Sequence, residues 1–91
     1  MDPGDERGSL LTFPCVFPMK VMGRREDGFA QAVADAVLRH APDFHPDTME
    51  MRTSRNGRYL SLTVTINARS RAQLDALYTE LSGHPMVIMV L

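Results

Sequence analysis

One stretch limits what this chain can fold into more than any other: Ser54 to Asn67, S-R-N-G-R-Y-L-S-L-T-V-T-I-N. Asn56-Gly57 lies between Arg55 and Arg58 and is a strong local signal for a two-residue hairpin turn of type I′. Both central positions of that turn need a positive φ, which Asn and Gly tolerate best. Leu60, Leu62, Val64 and Ile66 then alternate with Ser61, Thr63 and Thr65, so the outgoing strand has one buried and one polar face. If Arg55 faces Arg58, Ser54 meets Tyr59, Thr53 meets Leu60, Met51 meets Leu62 and Met49 meets Val64. A slip of one residue would turn Glu50 and Arg52 inward, so the pattern and the turn fix the same register.

The rest of the chain supplies partners for this hairpin. Residues 1–10 are polar and read as a disordered leader, which leaves a single domain over residues 11–91. A first strand is expected from about Phe17 to Met22, ending at Gly23. Pro14 and Pro18 suit an edge, or an extended approach to a strand, better than an inner ladder position. Asp27 is placed to cap a helix running from Gly28 or Phe29 to His40. In that helix Phe29, Val33, Ala36 and Val37 share one arc; Gln31, Asp35 and Arg39 share the opposite one, with Asp35 spaced to pair with Arg39. Pro42 ends the helix, 43–46 is a loop and Asp47 to Thr53 is the incoming strand. Ser70 and Gln73 form a capping box for a second helix, with Leu74, Leu77, Tyr78 and Leu81 on its apolar face and Gly83 as its C′ glycine. Pro85 precedes a last strand, Met86 to Leu91. The order βαββαβ predicts an α+β fold, the ferredoxin-like split βαβ sandwich: a four-stranded antiparallel sheet with two helices on one face.

Composition removes several classes of function. A formal charge of −1 argues against broad attachment to nucleic acid or an anionic membrane. The single cysteine, Cys15, forms no intrachain disulfide and is expected to be an inert, half-buried thiol. No apolar run approaches the length of a membrane span, and the polar start is unlike a secretory leader, so the expected location is the cytoplasm. His40, His45 and His84 have no metal-ligand spacing, and no metal or cofactor is expected. His40, in the last turn of the first helix, reads as a structural group meeting free carbonyls.

The candidate sites follow from strand order. It gathers the Gly23–Gly28 loop, the Asn56-Gly57 turn and the Gly83–Pro85 connection at one end of the sheet, which makes neighbours of Arg24, Arg25, Arg55, Arg58 and His84. Gly23, Arg24, Arg25, Arg55 and Arg58 are therefore the candidate ligand-binding residues, suited to an anionic metabolite or an acidic partner. Arg55 opposite Arg58 would also set like charges across a pair. The last strand is apolar on both sides: Met86, Ile88 and Val90 on one, Val87, Met89 and Leu91 on the other. Two helices cover only one face of such a sheet, so these six residues are the candidate interface of a homodimer. The competing cover is the Leu10–Phe13 segment of the same chain.

Several pieces resemble the YbeD-like family of small bacterial proteins: Phe17-Pro18-Met19-Lys20-Val21-Met22-Gly23, Arg39-His40-Ala41-Pro42, Tyr59 with Thr65-Ile66-Asn67-Ala68, Leu77-Tyr78-Thr79-Glu80-Leu81, and Val87-Ile88-Met89-Val90-Leu91. The resemblance covers nearly everything after Leu11. It implies a fold similar to ACT-type regulatory domains and transfers no catalytic residue. The expected function is a small cytosolic regulatory or adaptor module without catalytic activity, binding a small anionic metabolite or a protein partner. One alternative is an RNA-associated protein using the arginine-rich end. The outgoing strand offers one aromatic, Tyr59, where an RNA-recognition sheet needs a stacking platform, so nucleic acid is disfavoured. The other alternative is a diverged hydrolase, because Gly23–Gly28 resembles the acylphosphatase loop. Phe29, Ala30, Gln31 and Ala32 supply no guanidinium where that family holds phosphate.

Overall fold

The computed structural model describes residues 12–91. Strand β1 (Cys15–Arg24) leads to helix α1 (Phe29–His40) and a 3₁₀ turn at Pro46–Thr48; β2 (Glu50–Thr53) and β3 (Tyr59–Ala68) form the hairpin; helix α2 (Arg71–Ser82) and β4 (Val87–Val90) complete the domain. The sheet is antiparallel throughout and ordered β2-β3-β1-β4, the expected split βαβ arrangement.

The hairpin keeps the expected register, with Met51 opposite Leu62 and Thr53 opposite Leu60. Its turn is of another type. Gly57 alone has a positive φ (75°) while Asn56 does not, which excludes type I′. Arg55 to Arg58 form a four-residue loop closed by Gly57 N donating to Ser54 O (2.9 Å). The Asn56 carboxamide oxygen accepts from Ser54 Oγ and Arg58 N, and Asn56 keeps a φ that is not positive. Arg55 and Arg58 thus belong to the loop and not to a facing pair.

Strand β1 runs past the predicted limits at both ends and is central, with Pro18 inside it opposite Thr65. Reciprocal bonds between Lys20 and Leu91 show that even-numbered β1 residues direct their backbone groups toward β4. Among the described residues no strand pairs with β1 on that side beyond Lys20, so the N–H that Pro18 lacks would have faced an open edge.

Alternation sets the core. Met19, Val21, Leu60, Leu62, Val64, Ile66 and Ala68 face the helices and are buried with Phe29, Val33, Ala36 and Val37 of α1 and Leu74, Leu77 and Leu81 of α2. Phe44, from the loop after α1, joins them, and the sequence reading passed it over. The expected β2 begins later because Pro46–Thr48 winds into the 3₁₀ turn. Tyr78 is half-exposed and not part of the apolar face; its hydroxyl donates to Val90 O at 3.3 Å.

The helix ends depart from expectation in detail. Gly28, not Asp27, is the N-cap of α1: its φ of 86° turns the chain, and no side chain caps the helix. Ser70 Oγ does accept from Gln73 N (3.1 Å), but Gln73 Oε1 returns to Arg69 N and its Nε2 donates to His40 O (2.8 Å), tying the helices together. Gly83 closes α2 with φ −89°, without using the left-handed region. Arg39 bonds across to Glu80, leaving Asp35 to accept from Gln31 Nε2 (2.8 Å). Glu80 also receives His40 Nε2 (2.8 Å), so His40 meets a carboxylate of the other helix instead of helix-end carbonyls. Cys15 is free and half-buried against the core.

Gly23 is a steric requirement. A Cβ there would overlap the Met86 carbonyl oxygen and the buried Phe29 ring, at the point where β1, α1 and β4 converge. Gly23→Ala is expected to lower stability by about 1–3 kcal/mol, the range for forcing atoms into a filled core, as read by urea denaturation. A second expectation concerns acid. The Arg39 guanidinium first, and the His40 ring second, hold the Glu80 carboxyl below its ordinary range, so its contribution is complete above that range and is lost as pH falls through the depressed value. Glu80→Gln should melt a few degrees lower at pH 7, and its deficit should shrink on acidification. A deficit independent of pH contradicts the assignment.

Candidate functional site

The ladder between β1 and β3 ends with Arg24 opposite Tyr59. One residue further, Arg25 N donates to Arg58 O at 2.8 Å, so the two segments stay joined beyond the sheet. This backbone bond brings the first loop against the hairpin turn. The Arg25 guanidinium reaches over the turn, with Nη1 3.5 Å from where a Gly57 Cβ would stand. The result is a cleft of about 400 Å³ lined by Arg24, Arg25, Glu26, Arg58 and Tyr59.

Of the five residues singled out by sequence, the structure places Arg24, Arg25 and Arg58 in one cleft. Arg55 is exposed in the hairpin loop at the same end, outside the lining, and Gly23 is buried beneath the rim as a packing residue. His84 is turned to its own chain, its Nδ1 accepting from Met86 N at 3.1 Å. Sequence reasoning placed Tyr59 at the head of β3 without assigning it to this site. The cross-strand register, which puts it beside Arg24, was the signal that could have done so.

The charges are uneven. Among the described residues, ion pairs join Arg39 and His40 to Glu80, and Arg71 to Asp75; none involves Arg24, Arg25 or Arg58. Among the described residues Glu26 is the one carboxylate lining the cleft. A second concavity of about 440 Å³ lies at the opposite end of β3, between Val16, Thr65, Ile66 and Asn67 and the 43–48 loop, with Asp43 and His45 as its ionisable groups. Among the described residues no three His, Cys, Asp or Glu side chains come together as metal ligands, and no helix is long and apolar enough to cross a membrane.

The apolar residues of the last strand are not divided as alternation predicts. Gly23 pairs with Val87 and Met22 with Met89, so Ile88 is an extra residue in a bulge that shifts the parity. Val87 and Val90 face the helices, and Met86 packs against the core. Met89 stands beside Met22, and Leu91 opposite Lys20, on the face the helices leave open; Ile88, Met89 and Leu91 are 56%, 48% and 68% exposed. Leu10 and Leu11 lie outside the described residues, while Phe13 packs against the core and not over the open face.

Comparison with known proteins agrees with this architecture. The family described as "Protein of unknown function (DUF493)" matches residues 8–91. The UPF0250 protein NE1487 of Nitrosomonas europaea is 57% identical over 83 residues, covering 91% of this chain and 95% of the relative. A UPF0250 protein of Chromobacterium violaceum is 49% identical over 87 residues, covering 96% and 98%. In three dimensions the solution structure of protein HP0495 from H. pylori matches with a TM-score of 0.76 at 17% identity, covering 100% of this chain and 96% of that one. The ACT domain from GTP pyrophosphokinase of Chlorobium tepidum matches with a TM-score of 0.58 at 15% identity, covering 84% and 94%. At those identities the structural likenesses speak for the fold alone. On the sequence matches, the chain belongs to the DUF493/UPF0250 family of small bacterial proteins, the YbeD-like group, built on an ACT-like ferredoxin fold.

Proposed function

We propose that this domain is a small cytoplasmic regulatory or adaptor module with no chemistry of its own, and that it responds to a small anion held among Arg24, Arg25 and Arg58. The observation that carries this reading is that three arginines, none in an ion pair among the described residues, line one cleft beside a half-exposed tyrosine. Guanidinium forks match carboxylate and phosphate oxygens and keep their charge at any physiological pH. The likeness of the fold to an ACT domain supports a regulatory role over a catalytic one. Against hydrolysis, the positions after Gly28 begin with the buried Phe29 and supply no clamping cation. Against RNA, the open face of β3 carries Tyr59 followed by Ser61, Thr63 and Thr65, one aromatic where stacking needs several.

Calorimetric titration of the full chain with inorganic phosphate, citrate and short single-stranded RNA tests the reading. At least one small anion is expected to bind, with affinity falling as salt rises. Replacing Arg25 and Arg58 by Gln should weaken binding by about tenfold or more, the scale of a lost hydrogen bond to a charged group. Acyl phosphate turnover that disappears in Arg24→Gln or Arg25→Gln would overturn the non-enzymatic reading. RNA binding much tighter than that of any small anion would replace it with an RNA-associated role.

A further inference from the structure

We infer that the cleft selects a compact dianion, a phosphomonoester on a small organic body, in its doubly ionised form. This rests on the anion-binding reading above and names the class of ligand. The charge of the lining is the first ground. Among the described residues the lining carries three arginines and one carboxylate, Glu26, an excess of two positive charges. A monoanion leaves one of them uncompensated, whereas a dianion balances both within a distance shorter than the Debye length of about 8 Å at physiological salt.

Geometry is the second ground. The cations come from the end of β1 and the two segments that continue beyond the sheet, their backbones joined by the pairing of Arg24 with Tyr59 and the bond from Arg25 N to Arg58 O. They line one concavity and not two separate ones, which suits charge concentrated on a single centre over charge spread along a chain. The three terminal oxygens of a phosphomonoester can each accept from a different guanidinium. Volume is the third ground. A bare phosphate fills a fraction of about 400 Å³, and the 41% exposed Tyr59 offers an aromatic wall for the remainder of a larger molecule.

The second ionisation of a phosphomonoester lies near pH 6, which provides a direct test. The full chain is titrated calorimetrically at pH 8 and pH 5 with phenyl phosphate, its methyl diester and succinate. The diester carries one charge throughout. It corrects for any change in the protein's own charge, including that of Glu26 in the cleft, Tyr59 opposite Arg24, and Asp27 and His84 at the same end. At pH 8 the monoester should bind at least tenfold tighter than the diester and tighter than succinate. At pH 5, where about a tenth of the monoester is dianionic, its advantage over the diester should fall by nearly the same factor. Arg25→Gln with Arg58→Gln should remove the preference, and Arg25→Lys with Arg58→Lys should restore part of it; circular dichroism confirms that each variant is folded. If none of the three probes binds, the anion-sensing reading fails and this inference with it. Equal binding of monoester and diester, or a ratio that ignores pH, leaves anion sensing intact and overturns the selection of a dianion. Succinate binding tighter than phenyl phosphate overturns the assignment to a phosphomonoester.

Discussion

The ladder between β1 and β3 decides nearly everything else in this domain. Its ten residue pairs run from Cys15 opposite Ala68 to Arg24 opposite Tyr59, with the expected alternation maintained throughout. Because a strand's side chains alternate strictly, that one register assigns Met19, Val21, Leu62, Val64 and Ile66 to the helix side together. It also sends Lys20, Met22 and Arg24, with Ser61, Thr63 and Thr65, to the face without helices. A one-residue slip would put Lys20 and Arg24 against the buried leucines of α2. The same ladder places Arg24 beside Tyr59 at its end and brings Arg25 to Arg58, so the core and the cleft share one cause.

Charge use separates the two ends of the domain. Between the helices, Glu80 accepts from both Arg39 and His40, and Gln73 donates to the His40 carbonyl; these polar groups satisfy one another and tie α1 to α2. At the hairpin end the arginines have no such partner among the described residues, and their one shared constraint is a backbone hydrogen bond. A cation paired within the fold supports structure. One held in place by backbone geometry, with its charge free, is suited to a ligand. Gly23 connects the two requirements: its bare Cα lets the Met86 carbonyl and the Phe29 ring close beneath the loop that carries Arg24 and Arg25.

The sequence disclosed the features governed by periodicity. The 60–66 alternation and the Phe29–Val37 arc gave the buried residues, and the order of elements gave the sheet and the gathering of arginines at one end. Features set by local competition were less visible. Asn56-Gly57 points to a two-residue turn, yet the same pair also fits inside a four-residue loop, and the Ser54–Asn56 side-chain contact favours the loop. Asp35 and Glu80 both had a claim on Arg39, and only the docking of the helices chose between them. The bulge at Ile88 interrupts a uniformly apolar strand in which no residue marks the change of parity. Phe44 escaped notice because one apolar residue in a proline-bounded loop has no period to reveal it. For the cleft, residue types and strand order indicated Arg24, Arg25 and Arg58; the omission of Arg55 and the inclusion of Tyr59 needed the register and the true turn.

The central claim is that the end of the β1–β3 ladder, and no other surface, is where this domain meets an anion. Mapping amide chemical shifts of the ¹⁵N-labelled full chain during titration with inorganic phosphate tests it residue by residue. The account predicts that the largest changes fall on Arg24, Arg25, Glu26, Arg58 and Tyr59, with the α1–α2 contact at Arg39, His40 and Glu80 unmoved. Changes centred on Val87 to Leu91, or on the concavity between Thr65 and the 43–48 loop, with the arginine cleft silent, would contradict it.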